Sequence, residues 1–371
     1  MKSIKTMSAI GALGLASFGA EAATTVADGR GNGMGNTGVT TANYIMAPFY
    51  NPALVAVYRE KDNFGLLLPA VGAELRDPDE NIELIDDLQD AISANDTTAI
   101  DSYLDQLAGN KPLNVSAGVS AAFAIPHELV SMNVFTRGYA EIIGTPDISS
   151  AGDATTRYQN STIDLVAFGY LEFGTAFAKQ MVVAGEQFSF GVSPKIQRLR
   201  TYKQNINVND FDISDYDETE TTKNAFNMDL GAVWMHEQFR AGVAVKDLFA
   251  KKIDTQDVSG VSTYKLDTQV TVSGAYATRL ITVTSDLDLT KQTRFTDVND
   301  DTKFWRFGIE GNAWDWVQLR AGYQVDLEDT IDNSITAGVG MSPGDLVSID
   351  IAGNYAGKHE YGLSANLEFT F

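Results

Sequence analysis

The chain has 371 residues, with 27 Lys and Arg against 49 Asp and Glu, and so carries a net charge of −22 at pH 7. This acidic balance without a basic cluster disfavours nucleic-acid binding. The absence of cysteine removes disulfide frameworks, thiolate metal sites and cysteine nucleophiles. A mean hydropathy of −0.11 is too polar for a bundle of transmembrane helices.

Residues 1–22 have the pattern of a secretory signal peptide. Two lysines precede a small apolar core, Met7–Phe18, and an A-x-A cleavage site at Ala20-Glu21-Ala22. A short buried helix is the alternative, but charge, length and cleavage residues all favour a signal. No later run reaches the roughly 18 apolar residues that a transmembrane helix requires. The sequence therefore predicts export with cleavage before Ala23.

Residues 23–63 differ from the rest of the chain because glycines crowd their first part. An apolar run, Ala47–Tyr50, then leads into Asn51-Pro52-Ala53. Dense glycine permits unusual backbone angles and close packing but gives no long strand. The segment lacks the Gly-Lys-Ser/Thr of a phosphate loop and the third glycine of a dinucleotide fingerprint. Nucleotide binding is therefore not predicted.

From Phe64 onward, apolar and polar residues alternate with a period of two. In the last strand the apolar residues occupy every second position from Tyr361 to Phe371, so the two sets face opposite sides. The predicted strands are about 10–14 residues long, whereas soluble strands average about 5–6. A tilted membrane strand needs about 9–11 residues, which favours a membrane barrel over a soluble sandwich.

The pattern predicts 14 strands, an even number, as in bacterial single-chain barrels. They span 64–76, 113–126, 129–143, 161–180, 186–203, 225–236, 239–250, 264–277, 280–293, 303–311, 316–327, 333–341, 346–355 and 360–371. Long and short connections alternate, as expected for outer loops and periplasmic turns. The predicted fold is an all-β, 14-stranded antiparallel transmembrane up-and-down barrel over residues 64–371, with the last strand pairing with the first.

The first long connection has helical rather than strand periodicity. Apolar residues recur at helical spacing in two groups within residues 80–108, and Asp96 is a suitable N-cap for the second group. We expect two amphipathic helices outside the barrel wall. They either guard an entrance or serve as an exposed cover.

Short motifs give the chain a resemblance to known barrels. Gly29–Gly35, Ala47–Ala53 and the 14 strands resemble FadL-type outer-membrane transporters. Val245–Phe249 and Asp286–Thr290 narrow the likeness to the TraF-like family, named for conjugal transfer. The resemblance implies that residues 23–63 form a plug or hatch inside the barrel. The residues assigned to its motif are Gly31, Gly33, Gly35, Asn51, Pro52 and Ala53.

The terminal Phe371 resembles the C-terminal aromatic signal that the barrel assembly machinery reads. It ends a strand whose preceding apolar residues share its face, which makes a chance phenylalanine a poor explanation. The predicted partners are therefore outer-membrane lipid, lipopolysaccharide and the assembly machinery, together with a hydrophobic ligand.

An enzyme is not predicted, and neither is a catalytic residue, a cofactor or a metal site. The three histidines, His127, His236 and His359, fall near different turns. The acidic runs at 210–220 and 297–301 carry oxygen ligands at close spacing, but they lack an EF-hand pattern. Solvated loops are the favoured interpretation, and bridging to lipopolysaccharide through divalent ions is a hypothesis.

The four tryptophans, Trp234, Trp305, Trp314 and Trp316, are expected to form an aromatic girdle at the periplasmic rim. A buried soluble cluster is the alternative.

Three functions fit this architecture. The leading hypothesis is a plugged outer-membrane barrel that binds or transports a hydrophobic small molecule. The second is a surface or assembly component of a conjugative apparatus without transport activity. The third, a passive porin, is opposed by the implied plug. Fold alone does not choose among them.

Overall fold

The computed structural model describes residues 27–213, 219–258, 260–313 and 316–371. The predicted signal peptide, Ala23 and Trp314 lie outside these ranges. So does part of the acidic run at 210–220.

Sixteen strands are present in the described ranges. They are β1 (Gly65–Arg76), β2 (Leu113–Ile125), β3 (Ser131–Asp147), β4 (Thr162–Val183), β5 (Glu186–Asn207), β6 (Thr221–His236), β7 (Phe239–Lys246), β8 (Lys251–Asp254), β9 (Thr263–Leu266), β10 (Gln269–Ala277), β11 (Ile281–Asp288), β12 (Phe304–Ala313), β13 (Val317–Asp326), β14 (Ser334–Met341), β15 (Val347–Gly357) and β16 (Glu360–Thr370). Fourteen of them form a closed antiparallel barrel, and β8–β9 is a separate hairpin. The 14-stranded barrel predicted from the sequence is confirmed.

Short helices occur in the connections and before the first strand. They are α1 (Gly29–Gly33), α2 (Ala47–Tyr50), α3 (Asn81–Ala94), α4 (Thr97–Leu107) and α5 (Ala154–Gln159), with 3-10 turns at Pro52–Ala56 and Pro343–Asp345. Asp96 caps α4 by accepting a hydrogen bond from the backbone of Ala99 at 3.1 Å. In the described residues, no helix has the length and apolar character needed to cross a membrane.

The period-two pattern of the last strand becomes two faces of the wall. Ser364, Asn366 and Glu368 are buried inside, while Tyr361 and Leu363 are exposed on the outside. The barrel closes where β1 pairs with β16 along nearly its whole length. The predicted pairing of the first and last strands is therefore confirmed.

Short turns gather at one end of the barrel and long connections at the other. One two-residue turn is Ala184-Gly185 between β4 and β5, where both residues have positive φ, as the type I′ hairpin turn requires. β1 begins and β16 ends at the same short-turn end. We use "short-turn end" and "long-loop end" for the two mouths below.

The hairpin β8–β9 corrects the predicted strand 264–277 and the predicted loop 251–263. The barrel strand β10 begins only at Gln269, and β9 (Thr263–Leu266) pairs with β8 instead. Tyr264 and Leu266 are buried with inward-facing residues of β3–β5. The sequence pattern continued through the break because hairpin and wall share the same alternation.

Strands β3–β5 project far beyond the rest of the wall, with β4 and β5 reaching 22 residues each. A membrane strand needs only about 9–11 residues. On the outer face of this projection, Ile163 and Leu165 pack against α3 and α4. On its inner face, Phe168 and Tyr170 pack against the β8–β9 hairpin.

One aromatic expectation is wrong. Trp305 does not lie at the rim with the short turns. It lies at the start of β12, next to the long connection 289–303, and pairs with Val325. Its indole nitrogen donates to the hydroxyl of Ser285 at 2.9 Å. Trp234 and Trp316 do lie near short turns.

Candidate functional site

The lumen is filled in layers, which the inward-facing residues of β3 contact one after another. Asn133 donates to the carbonyl of Ile45 at 2.8 Å. Phe135 packs edge-on against Phe49, with ring centroids 5.5 Å apart. Further along, Arg137 joins a buried ion cluster. We call residues 27–63, which supply the first layer, the N-terminal segment.

Its glycine-rich part lies on β12–β15 with its backbone against theirs. Gly308 and Gly322 are paired across β12 and β13. A Cβ on either one would overlap the backbone of Met34. Gly35 has a φ of +68 and its amide donates to Thr336 at 2.9 Å. Only glycine, which has no Cβ, allows two main chains to approach each other this closely.

The other side of the N-terminal segment is apolar. Ile45, Met46, Phe49, Leu54 and Val55 are buried in one cluster with wall residues of β1–β4 and β6. The wall contributes small side chains there, mostly alanine. The N-terminal segment therefore contacts one half of the barrel through side chains and the other half mainly through its backbone.

The Asn51-Pro52-Ala53 motif fixes the position where the apolar side meets β5–β7. The amide of Asn51 donates to the carbonyl of Val39 at 2.9 Å, and its Oδ1 accepts from the backbone of Ala53. Ser189 of β5 donates to the carbonyl of Ala53 at 2.6 Å. A Cβ on Gly231 would overlap Asn51, so the wall is shaped to this turn.

Charges follow in the next layer. Lys195 is fully buried and lies 2.9 Å from Asp229, 3.0 Å from Asp247 and 3.4 Å from Glu172. Arg137 pairs with Glu172 at 3.1 Å. Buried charges require such partners because desolvation is costly.

The long-loop end is closed from inside by β8–β9 and the connection 289–303. The ring of Tyr264 stacks on Phe168 with centroids 3.5 Å apart and meets Phe295 edge-on. Arg294 pairs with Glu141 of β3 at 2.8 Å. We call this arrangement the hairpin lid.

Asp300 of the hairpin lid is an unusual carboxylate. Its Oδ2 accepts a hydrogen bond from the backbone of Phe295 at 2.9 Å. Its Oδ1 is buried and has no hydrogen-bond partner. Burial raises the pKa of Asp300 to about 7, against the opposing effect of nearby Arg294.

A cavity of about 770 Å³ opens at the short-turn end beneath the N-terminal segment. Its lining includes Tyr44, Tyr58 and Leu280 along with arginines and carboxylates. A separate apolar groove of about 850 Å³ lies on the outer wall, between Trp234, Tyr276 and Tyr323. Arg240 of β7 contributes to the lining of both the cavity and the groove, so the barrel wall alone separates them at this residue.

The structure brings the six assigned motif residues into the lumen. Gly33 faces Gly338, and Pro52 lies against Gly191. The wall glycines opposite them were not predicted from the sequence. An inward-facing glycine in several neighbouring strands is the signal that predicts such a docking groove.

Phe371 lies at the short-turn end, where its carbonyl and amide bond to Phe64. Its ring stacks on that of Phe64 at 4.6 Å and remains 47% exposed. It contributes to closure of the barrel wall and is distant from the ion clusters of the lumen.

The acidic connections are engaged with cations of the protein. Asp297 lies 3.6 Å from Lys203, and Asp301 pairs with Lys291 at 2.5 Å. Over the described ranges, no group of three or more acidic or histidine side chains is arranged to hold a metal ion.

Comparisons with known proteins agree with this architecture. The sequence profile of the family described as "F plasmid transfer operon, TraF, protein" matches residues 48–288. No curated protein sequence matches the chain significantly.

Three solved structures of similar fold are described as transporters or channels. The toluene transporter TbuX of Ralstonia pickettii has a TM-score of 0.56 at 13% identity, over 93% of this chain and 98% of its own. The toluene transporter TodX of Pseudomonas putida gives 0.56 at 10%, over 94% and 98%. The monoaromatic hydrocarbon channel CymD gives 0.54 at 12%, over 92% and 96%. At these identities the likeness concerns the fold.

Proposed function

We propose that this chain, which belongs to the family described as F plasmid transfer operon TraF protein, is an outer-membrane barrel that binds and passes a neutral hydrophobic small molecule. The N-terminal segment is its movable plug. The observation that carries the proposal is the occupied lumen. A segment of the same chain lies inside a closed 14-stranded wall, with its apolar side against β1–β4 and β6.

The two faces of the wall support a location in a membrane. Outward-facing residues such as Leu319, Ile335, Ile351 and Leu363 are large, apolar and exposed. A closed barrel leaves no unpaired strand edge in lipid. The proposed surroundings are outer-membrane lipid and lipopolysaccharide, reached through the barrel assembly machinery that reads Phe371.

Passage of an uncharged molecule needs an apolar route. The apolar cluster around Phe49 supplies one inside the lumen, and the groove between Trp234 and Tyr323 supplies an apolar surface outside. The ion cluster around Lys195 makes the remaining lumen a poor path for a hydrocarbon. A hydrocarbon has no polar group with which to form favourable contacts to these buried charges. Displacement of the N-terminal segment is therefore the proposed opening step.

A disulfide lock tests the plug directly, because the chain has no cysteine of its own. The hydroxyls of Thr40 and Ser273 are 2.7 Å apart, a separation that suits a replacement disulfide. We expect oxidised Thr40→Cys/Ser273→Cys cells to take up labelled toluene at the rate of cells without the barrel. Reduction should restore the uptake.

The two single-cysteine variants are the matched controls and should transport like wild type, oxidised or reduced. Disulfide formation is verified by mass spectrometry of the linked peptides. If the locked barrel still takes up toluene at the wild-type rate, movement of the N-terminal segment is not the opening step. If wild type itself shows no uptake above cells without the barrel, the transport proposal fails.

The second candidate is an assembly role without transport. The observation that favours it is the acidic outer surface of α3 and α4, where Glu83, Asp86, Asp90 and Asp105 are exposed. Replacing these four with the neutral amides should lower mating efficiency if the surface meets a partner. Toluene uptake should stay unchanged. An unchanged mating efficiency contradicts this role.

A further inference from the structure

Among the described residues, Arg240 has no carboxylate partner, whereas Arg30, Arg59 and Arg320 of the same cavity are paired with carboxylates. It projects inward from β7 and lines the cavity of about 770 Å³ at the short-turn end. Its Nη1 donates to the carbonyl of Thr40 at 3.2 Å. The described residues give it no other polar contact. Since a guanidinium carries five N–H donors in a rigid fork, most of them remain available to the cavity.

The positive charge of Arg240 is not part of the ion-pair network formed by the neighbouring arginines and carboxylates. Glu310 accepts from Arg30 at 2.9 and 3.0 Å and from Arg320 at 2.7 Å. Arg320 also pairs with Asp350 at 2.5 Å. Arg30 and Arg320 therefore already use the two carboxylates Glu310 and Asp350, and neither carboxylate is an ion-pair partner of Arg240.

The remaining acids of the lining are engaged elsewhere. Asp62 pairs with Arg59 at 2.9 Å. Glu368 accepts from Asn43 and Asn366 and lies on β16, seven strands from β7 around the barrel, on the opposite side of the lumen. Glu237 is exposed in the β6–β7 turn and lies beyond ion-pair distance of Arg240. Each of these carboxylates leaves the charge of Arg240 uncompensated.

We propose that the cavity at the short-turn end is a binding site for one small organic anion, with Arg240 as the group that binds its oxygens. A planar two-oxygen head matches the guanidinium fork. The cavity volume is within the range of small-molecule sites, about 300–1,000 Å³. Tyr44, Tyr58 and Leu280 supply the apolar wall for the rest of the ligand.

The site is open to the short-turn mouth and requires no displacement of the N-terminal segment. Anion binding is therefore independent of passage through the lumen, and the two proposals stand or fall separately. A neutral probe tests the passage proposal, whereas an anionic probe of the same shape tests this one.

The experiment titrates the purified full-length barrel in a nonionic detergent with 4-fluorobenzoate, observed by fluorine NMR. Inorganic phosphate is titrated as a competitor, and 4-fluorotoluene is the neutral probe of matched shape. We expect saturable binding of 4-fluorobenzoate and, in Arg240→Gln, an affinity weaker by about tenfold or more, because a hydrogen-bonded charge is lost. If phosphate competes, the site binds anionic groups in general. If phosphate does not compete, the site is specific for carboxylates.

Arg198→Gln is the matched control, because Arg198 is exposed on the outer face of β5; it should bind like wild type. Arg240→Lys keeps the charge but lacks the planar fork, so its affinity should lie between those of wild type and Arg240→Gln. Heat-modifiable migration on gels verifies that each variant is folded. Equal affinity in wild type and folded Arg240→Gln, or no saturable binding of either anion, would overturn the proposal. Binding of 4-fluorotoluene should be the same in all variants.

Discussion

Two parts of the chain, here called the closures, occupy the lumen, and they are held in place differently. The N-terminal segment contacts the wall through a buried apolar cluster on one side and backbone-to-glycine packing on the other. The hairpin lid is held to the wall by the stack of Tyr264 on Phe168, by the ion pair of Arg294 with Glu141 and by polar contacts such as that of Lys203 with Ser262. The first closure therefore depends on shape, and the second depends in part on charge.

This difference indicates which conditions open each closure. Packing contacts respond to ligands and to mutations that change volume. A buried carboxylate responds to pH, since protonation changes its cost of burial. A ligand that competes for the apolar cluster would act on the N-terminal segment, whereas acidity would act on the hairpin lid.

Removing a fully buried ring of the apolar side should loosen the first closure most. Phe49→Ala deletes a buried side chain packed on Phe135, at a cost of about 3–5 kcal/mol to the docking of the N-terminal segment. Hydrogen exchange of the 44–56 peptide, followed by mass spectrometry, should accelerate by about two to three orders of magnitude. The hairpin lid peptide 289–303 should exchange as in wild type.

The matched control for that substitution is Phe173→Ala. Phe173 lies on the outer face of β4 and is 58% exposed, so its removal leaves no internal cavity. Equal exchange of the 44–56 peptide in both variants would contradict the view that the apolar cluster holds the N-terminal segment.

The glycine side is tested by adding one methyl group. Gly322→Ala would place a Cβ on the backbone of Met34 and Gly35, which costs about 1–3 kcal/mol of docking by overpacking. The amide of Gly35, bonded to Thr336, should lose protection against hydrogen exchange. Gly274→Ala is the control, because open space surrounds that position on the outer face, and it should leave protection unchanged. A protected Gly35 amide in Gly322→Ala would show that the contact is loose.

The barrel was predictable because its signals repeat. Alternation in every strand, long and short connections in order, and the apolar face ending at Phe371 all carry the same information. The break before Gln269 was missed because Thr263–Leu266 has the alternation of a barrel strand, and only the pairing with β8 distinguishes the two.

The candidate site was less predictable for a physical reason. The resemblance led to Gly33 and Asn51, but their partners are single glycines of distant strands, such as Gly338 and Gly231. A glycine in a strand has several explanations, including a bulge or a bend. Arg240 could not be identified from the sequence either. An inward-facing arginine is unusual only when it lacks a counter-ion, and that can be seen only in the structure.

The hairpin lid should open more readily as pH rises. Because burial raises the pKa of Asp300 from 3.8 to about 7, the closed state binds a proton that the open state releases. The stability contributed by this proton is present below about pH 4 and is lost as pH rises to about 7. Glu141 and Arg294 are the charged groups that face it, and this pKa already includes their opposing effects. The loss of stability between pH 5 and pH 8 is on the order of 2 kcal/mol. Exchange of the 289–303 peptide, corrected for its intrinsic pH dependence, should therefore be faster at pH 8.

Asp300→Asn is the control and should remove that difference in exchange rate. The 44–56 peptide should show no such pH dependence in either protein. If protection of the lid instead increased with pH, the ion pair with Arg294 would outweigh burial, and the contrast between the two closures would fail.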